Sequence, residues 1–188
     1  IESLFASMAI DREKEIIVVH PGTGGSAKEW PAEYFGQLAA RLQAERDCQI
    51  LITGSKGEER KVAEVLIGTK GKAIPLVGRL SLKELTAVIK RASLFISNST
   101  GPLHIAAAVG TPVLCMFPQI TTMNAVRWGP YTSKKRVLVP DKPVNCTDCT
   151  TGKEPVCACM MSISVHQVYD AACSMLAEQK NKESVPND

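Results

Sequence analysis

Residues 15–31, EIIVVHPGTGGSAKEWP, place a β-branched run directly before a glycine-rich loop. An apolar run without polar alternation is typical of a strand buried on both faces of a parallel sheet. The loop adds the hydroxyls of Thr23 and Ser26 and the cation of Lys28, just before a predicted helix. Glycines let the backbone fold around a ligand, so this combination predicts an anion-binding loop. The alternative is a flexible loop that carries a solvated lysine.

Short β-branched runs and helical stretches alternate along the rest of the chain. Further strands are predicted at residues 49–53, 73–77, 94–97, 112–117 and 136–139, and helices at 31–46, 58–67, 81–91, 102–109 and 164–179. Strands that alternate with helices form βαβ units. The prediction is therefore an α/β fold, a three-layer domain with a parallel sheet covered on both faces. Ligands of such sheets bind beyond the carboxyl ends of the strands.

A second candidate loop, NSTGPLH at residues 98–104, follows the predicted strand 94–97. Gly101 permits close backbone approach, and the free N–H groups of the next helix point toward the strand ends. Ser99, Thr100 and His104 add groups that can hydrogen-bond to a diphosphate. In the alternative interpretation, Ser99 or Thr100 merely caps the helix and His104 packs against its neighbours.

Glu58 follows the predicted strand 49–53 and has two interpretations. Its carboxylate can hold the ribose hydroxyls of a nucleotide. It also stands three residues after Ser55, which is the spacing of a capping box at a helix start. The spacing favours the capping role.

The chain has seven cysteines, four of them in a cluster with the spacing C-x2-C-x7-C-x-C. The clustered residues are Cys146, Cys149, Cys157 and Cys159. Four thiolates can bind zinc, but this spacing is not that of a zinc finger or ribbon. Reduced thiols that pack a loop and a redox-sensitive pair are the alternatives, and no metal site is predicted. Three others, Cys48, Cys115 and Cys173, are predicted to be buried thiols.

Composition and charge place the chain among globular domains. It has 188 residues, 45% of them hydrophobic, and a net charge of +3. This composition argues against a disordered chain and a membrane span, and the charge is too balanced to indicate nucleic acid binding. Residues 1–14 are predicted to be a linker or lead-in helix, residues 15–180 one domain, and residues 181–188 a polar tail. Because the first residue is Ile, we expect a piece of a longer protein.

Several motifs in the same order resemble the heptosyltransferase family, glycosyltransferase family nine, in its C-terminal domain. They are HPGTGGSAKEWP at 20–31, LITGSKGEE at 51–59, SNSTGPLHIAAAVGTPVLCMF at 97–117, RWGPY at 127–131 and the cysteine-rich stretch that ends in CMMSISVHQVYDA. The resemblance implies a GT-B enzyme with two Rossmann-like domains, of which this chain is the C-terminal half.

The resemblance also implies a function for each half of such an enzyme. The C-terminal half would bind an ADP-heptose-like nucleotide-sugar donor. The absent N-terminal domain would bind a lipopolysaccharide core acceptor and supply the general base, so no catalytic residue is named. The reaction would be an inverting transfer of a heptose or related sugar, without a metal or other cofactor. The resemblance implies a cytoplasmic protein and leaves open peripheral attachment to the inner membrane.

By position, Thr23 and Lys28 match the family's phosphate contacts in the first loop. Thr100 and Gly101 match its second phosphate-binding turn, and His104 matches the helix residue beside it. Ser99, which completes the predicted binding set, stands where some heptosyltransferases have an aspartate. Two alternatives stay open: a noncatalytic nucleotide- or zinc-binding module, and a different sugar-nucleotide enzyme such as an epimerase.

Overall fold

The computed structural model describes residues 2–141 and 156–183, and a six-stranded parallel sheet forms its centre. The order across the sheet is β3-β2-β1-β4-β5-β6, which is the order of the doubly wound Rossmann fold. The strands are β1 (Glu15–His20), β2 (Cys48–Ile52), β3 (Ile74–Pro75), β4 (Leu94–Asn98), β5 (Val113–Met116) and β6 (Lys135–Leu138). The predicted parallel α/β fold is confirmed.

Helices cover both faces of the sheet. They are α1 (Glu2–Ser7), α2 (Ala32–Glu45), α3 (Glu59–Gly68), α4 (Leu82–Arg91), α5 (Gly101–Ala108), α6 (Ala125–Trp128), α7 (Ala158–Met161) and α8 (Val165–Glu183). Phe35 of α2, Val65 of α3 and Leu176 of α8 belong to the core on one face. Phe5 of α1 and Leu103 of α5 belong to the core on the other face. None of these helices, within the described residues, is long and apolar enough to cross a membrane.

Helices α2 and α3 approach so closely at Gly36 and Gly68 that a side chain at either position would not fit. A Cβ atom on Gly68 would lie 2.6 Å from the carbonyl carbon of Gly36, and one on Gly36 would lie 2.8 Å from the carbonyl oxygen of Val65. Contacts below 3.0 Å require the backbones to move apart. The two glycines therefore set the distance between these helices, and with it the position of the β2–α3 loop.

The predicted boundaries of most elements agree with the structure to within two residues. Strand β3 is shorter than the predicted 73–77, because only Ile74 and Pro75 pair with β2 in the ladder. Helix α8 continues beyond the predicted end at residue 179, as far as Glu183. The lead-in helix α1 packs on the sheet through Phe5, which is buried with Ile10.

Candidate functional site

The order of the strands places two loops side by side. Strand β1 pairs with β2 on one side and with β4 on the other, and all three are parallel. Its last residue, His20, pairs with Ser97 of β4, so the loops that follow these strands leave the sheet together. This is the point where the strand order reverses, and open α/β sheets bind ligands in the crevice at that point.

Asn98, the last residue of β4, connects the two loops. It is fully buried, its amide Nδ2 donates to the Pro21 carbonyl at 2.7 Å, and its Oδ1 accepts from the Trp30 N–H at 2.8 Å. One side chain thus holds both ends of the loop after β1 against β4. No role for Asn98 was predicted from the sequence, although a polar residue at the end of a buried strand is the signal that points to it.

A cavity of about 310 Å³ opens at this edge of the sheet. Thr23 lines it from the first loop and Thr100 from the second, so the structure brings these two predicted residues together. The other polar lining residues are His20, Thr53, Ser55 and Glu58, and the apolar side is formed by Leu76, Leu80, Leu82 and Leu85. The cavity therefore has one polar and one apolar wall.

The first loop is held by a buried carboxylate that the sequence analysis missed. Glu29 is 3% exposed, and its Oε1 accepts from the Thr23 N–H at 3.1 Å and from the Thr23 hydroxyl at 2.8 Å. The ammonium of Lys61, from α3, forms a salt bridge with the same oxygen. The Thr23 hydroxyl thus donates into the protein, and its oxygen also accepts from the Gly25 N–H at 3.2 Å.

Lys28 lies beside Glu29 and is buried, with 7% of its surface exposed. The alternative of a solvated lysine is therefore wrong. Ser26 belongs to the structure of the loop, because its hydroxyl donates to the Thr23 carbonyl at 2.7 Å. Lys28 is not among the described residues that line the cavity. Two residues further along the same loop, the Trp30 N–H donates to Asn98 at the end of β4.

The second loop leads into α5, and its residues differ in exposure. Thr100 is the N-cap of α5, but its side chain makes no capping hydrogen bond, so the capping alternative for Thr100 is wrong. Ser99 and Thr100 are both buried. Gly101 and His104 are exposed, and a Cβ atom added to Gly101 would meet nothing within 4 Å in the described structure. The start of α5 is therefore open to a ligand at Gly101.

Glu58 is the N-cap residue of α3, but its side chain makes no capping hydrogen bond and points toward the first loop. Its Oε2 accepts from the Ser55 N–H at 2.8 Å and from the Ser55 hydroxyl at 2.7 Å, while Oε1 faces the Gly24 N–H at 3.4 Å. Burial alone would raise the pKa of Glu58, but the hydrogen bonds from Ser55 lower it below its usual value. The side chain is therefore an ionised hydrogen-bond acceptor on the polar wall of the cavity. Of the predicted capping box, only the hydrogen bond from the Ser55 N–H to the Glu58 carboxylate is present, and no described side chain caps α3.

His20 closes the floor of the cavity as a neutral imidazole. Its Nδ1 lies 3.0 Å from the Thr53 hydroxyl, and the ring is buried. Burial lowers the pKa of His20 from 6.5 to about 4, because the charged form loses its hydration. A neutral ring can form a hydrogen bond with the Thr53 hydroxyl without placing a positive charge at the end of the strand.

The depressed pKa of His20 predicts a dependence of stability on pH. Between pH 6.5 and about 4 the unfolded chain binds a proton at His20 and the folded chain does not. The stabilisation is therefore complete above about pH 6.5 and decreases as the pH falls, with about 2 kcal/mol lost between pH 7 and pH 5. Urea unfolding at a series of pH values measures this slope. His20→Gln should make the stability depend less steeply on pH, whereas His166→Gln, which changes an exposed ring, should not. Equal slopes in the wild type and both variants would contradict the lowered pKa of His20.

The cysteine cluster lies only partly within the described residues. The Sγ atoms of Cys157 and Cys159 are 3.6 Å apart, while Cys146 and Cys149 fall outside the described ranges. No group of metal-ligating side chains occurs in residues 2–141 and 156–183. A zinc site built from all four cysteines is therefore untested. The prediction of buried thiols is confirmed for Cys48 and Cys115, and Cys173 is half-buried.

Comparison with known proteins identifies the family. The profile of glycosyltransferase family 9 (heptosyltransferase) matches residues 2–156. The chain belongs to glycosyltransferase family 9. This family 9 chain is 33% identical to lipopolysaccharide heptosyltransferase 3 of Escherichia coli K12 over 127 residues, which cover 66% of the chain and 36% of the relative. The family resemblance seen in the motifs is confirmed.

Solved structures of heptosyltransferases share the fold of the family 9 chain. The ADP-heptose lipopolysaccharide heptosyltransferase II of E. coli superimposes with a TM-score of 0.80 at 21% identity, over 95% of this chain and 51% of that one. The E. coli heptosyltransferase WaaC with ADP gives a TM-score of 0.65 at 21% identity, over 86% of this chain and 44% of that one. The chain thus spans between a third and a half of these relatives.

Proposed function

We propose that this chain is the donor-binding domain of an inverting glycosyltransferase, which resembles ADP-heptose:lipopolysaccharide heptosyltransferase. The observation that carries the proposal is the cavity at the β1/β4 switch point, bounded by Thr23 and Thr100 from the two predicted loops. Family membership supports a nucleotide-sugar donor, and we assign donor binding to residues 15–180.

The two walls of the cavity suit the parts of a nucleoside diphosphate. The diphosphate would lie against Thr100 and the open start of α5 at Gly101, where free N–H groups and the helix dipole favour an anion. The ionised Glu58 on the polar wall would accept hydrogen bonds from the ribose hydroxyls. The leucine side chains opposite would contact the base. This pose uses both walls and leaves the sugar pointing out of the domain.

The chemical role that we propose for this chain is to bind the donor and to stabilise the leaving diphosphate. Negative charge develops on the diphosphate as the bond to the sugar breaks, and Lys28 of the first loop, which does not line the cavity itself, would stabilise it through its positive charge. Ser99 and His104 would add hydrogen bonds to the phosphates. The acceptor, a lipopolysaccharide core, and the general base would belong to a second domain, consistent with a chain that spans about half of heptosyltransferase II.

Calorimetric titration of the chain with nucleotides tests the proposal. ADP is the first ligand to try, because the relative WaaC has been solved with it, followed by ADP-mannose and a UDP-sugar. We expect ADP to bind and Lys28→Ala to weaken it about tenfold, the usual effect of losing one charge-assisted hydrogen bond. Lys72→Ala is the control for net charge, since Lys72 is exposed and lies in the turn before β3, at the amino ends of the strands.

Two results would count against the proposal. The first is the absence of binding by any of these nucleotides at concentrations on the order of millimolar. The second is an equal loss of affinity in Lys28→Ala and Lys72→Ala, because it would show that the lysines act only through net charge. Transfer measured on the full-length protein would separate a transferase from an epimerase.

A further inference from the structure

Backbone N–H groups of the first loop already have partners within the protein. The Thr23 N–H donates to the Glu29 carboxylate, and the Gly24 N–H faces the Glu58 carboxylate. The Gly25 N–H donates to the Thr23 hydroxyl at 3.2 Å. Glycine-rich loops usually hold phosphate through such N–H groups. Because these three are engaged, the first loop acts on a bound diphosphate mainly through the charges around it.

Two of those partners are carboxylates, which is unfavourable beside an anion. Glu29 is 3% exposed, so water screens its charge poorly. Glu58 lines the cavity itself and is ionised. Like charges repel, and the repulsion grows as the surroundings become less polar. A diphosphate at this edge of the sheet therefore needs cations that offset the two carboxylates.

Lys61 lies where it offsets the charge of Glu29. Its ammonium forms the salt bridge with Glu29 Oε1, and its side chain is 25% exposed. It stands three residues after Glu58, so both groups reach the first loop from the start of α3. The close contact with α2 at Gly36 and Gly68 fixes where α3 lies. The pairing is therefore built into the packing of the helices.

The charge of Lys61 also acts on the floor of the cavity. Burial is the main cause of the lowered pKa of His20, and the positive charge of Lys61 lowers that pKa further. The negative charge of Glu58 acts on the same ring in the opposite direction. The two charged groups thus influence the cavity with opposite signs, although of the two only Glu58 lines it.

We propose that Lys61 is a positioning residue for the donor diphosphate and acts by cancelling the charge of Glu29. Holding Thr23 requires only an acceptor oxygen at Glu29, because Thr23 donates through a neutral N–H and a neutral O–H. The negative charge that comes with that oxygen disfavours the diphosphate, and Lys61 offsets it. The inference rests on the proposed function, since it concerns a diphosphate in the same cavity. It adds that Lys61 matters for phosphorylated ligands and not for a neutral nucleoside.

Calorimetry with ADP on three variants tests the charge balance. Lys61→Met leaves the charge of Glu29 without a partner, so ADP should bind about tenfold more weakly. Glu29→Gln keeps the acceptor oxygen for Thr23 and the charge of Lys61, so ADP should bind about threefold more tightly. The double variant should bind ADP within about threefold of the wild type, because the two changes cancel. A pair that only shaped the loop would instead weaken binding in both single variants.

A neutral ligand and a neighbouring residue provide the controls. Adenosine has the base and the ribose but no phosphate, and NMR follows its binding at concentrations on the order of millimolar. Its affinity should be the same, within about twofold, in the wild type and all three variants. Arg60→Met changes the net charge as Lys61→Met does, one residue earlier on α3, where Arg60 pairs with Glu64 on the surface. It should bind ADP like the wild type.

Four outcomes would overturn the proposal. Three are equal ADP binding by Lys61→Met and Arg60→Met, weaker ADP binding by Glu29→Gln, and a parallel loss of adenosine affinity in Lys61→Met. Each of these leaves the proposed function standing, because the wild type still binds ADP. The fourth is a wild-type chain that binds no nucleotide, which contradicts both. If the unpaired Glu29 unfolds Lys61→Met, then Glu29→Gln and the double variant decide, since neither buries an unpaired carboxylate at this position.

Discussion

Gly101→Ala is expected to weaken nucleotide binding strongly while the domain stays fully folded. Gly101 is the first residue of α5, follows Thr100 at the cavity and is exposed. A Cβ atom there would meet no described atom within 4 Å, and the residue does not have a positive φ, so the free protein tolerates the methyl group.

The loss of affinity follows from the distance at which a phosphate contacts a helix start. Phosphate oxygens accept hydrogen bonds from backbone N–H groups at about 2.9 Å, and the added methyl group would stand in that space. We expect the affinity for ADP to fall at least thirtyfold, roughly 2 kcal/mol. Calorimetry measures the affinity, and urea unfolding of the same variant measures its stability.

A matched control lies at the other end of the same helix. Ala108 is exposed, and Ala108→Ser adds one heavy atom there without approaching the cavity. It should bind ADP like the wild-type chain. If Gly101→Ala binds ADP as tightly as Ala108→Ser, the nucleotide does not use the start of α5, and the proposed pose is wrong even if the chain binds ADP elsewhere.

The parallel sheet and its loops could be predicted because their signals are local in the sequence. Each β-branched run is followed within a few residues by glycine or proline, and the helices follow from apolar periodicity and capping residues. Ser81 and Glu84 form a capping box at the start of α4, where the sequence predicts a helix. The same spacing of Ser55 and Glu58 does not produce a capping box on α3. The Glu58 carboxylate accepts a hydrogen bond from the Ser55 hydroxyl, and that hydroxyl does not cap the helix.

The partners of Glu29 could not be predicted, because they depend on how elements pack. Its carboxylate meets Lys61, 32 residues away, only because α3 lies beside the first loop. A sequence in which Lys28 and Glu29 are adjacent suggests a solvated pair, whereas both are buried in the fold. Such a pairing has no spacing rule, so only the three-dimensional structure reveals that Glu29 positions Thr23.

Asn98→Asp is expected to destabilise the domain strongly near neutral pH and much less in acid. Asn98 is fully buried and both ends of its amide are used, as a donor to Pro21 and as an acceptor from Trp30. An ionised aspartate keeps the acceptor but replaces the donor by an oxygen that faces the Pro21 carbonyl. Burying that charge without a partner costs about 3 kcal/mol of the free energy of unfolding.

Protonation of the new carboxyl group relieves this cost. Burial raises the pKa of a carboxyl group above the value of about 4 that it has in the unfolded chain. The folded variant therefore binds a proton that the unfolded chain releases, and its stability decreases as the pH rises above about 4. The protonated group donates to the Pro21 carbonyl as the amide did, so we expect a loss of about 1 kcal/mol at pH 4.

Urea unfolding of the wild type and the variant at about pH 4, 5.5 and 7 measures this difference, and the contribution of His20 cancels because both chains share it. Asn98→Leu is the control: it has a similar volume, loses both hydrogen bonds and should be destabilised equally at each pH. If the loss of unfolding free energy in Asn98→Asp does not grow from about pH 4 to pH 7, Asn98 does not stabilise the domain through its hydrogen bonds to Pro21 and Trp30. If it does grow, ADP affinity should weaken over the same pH range, because Asn98 holds the first loop, with Lys28 in it, against β4.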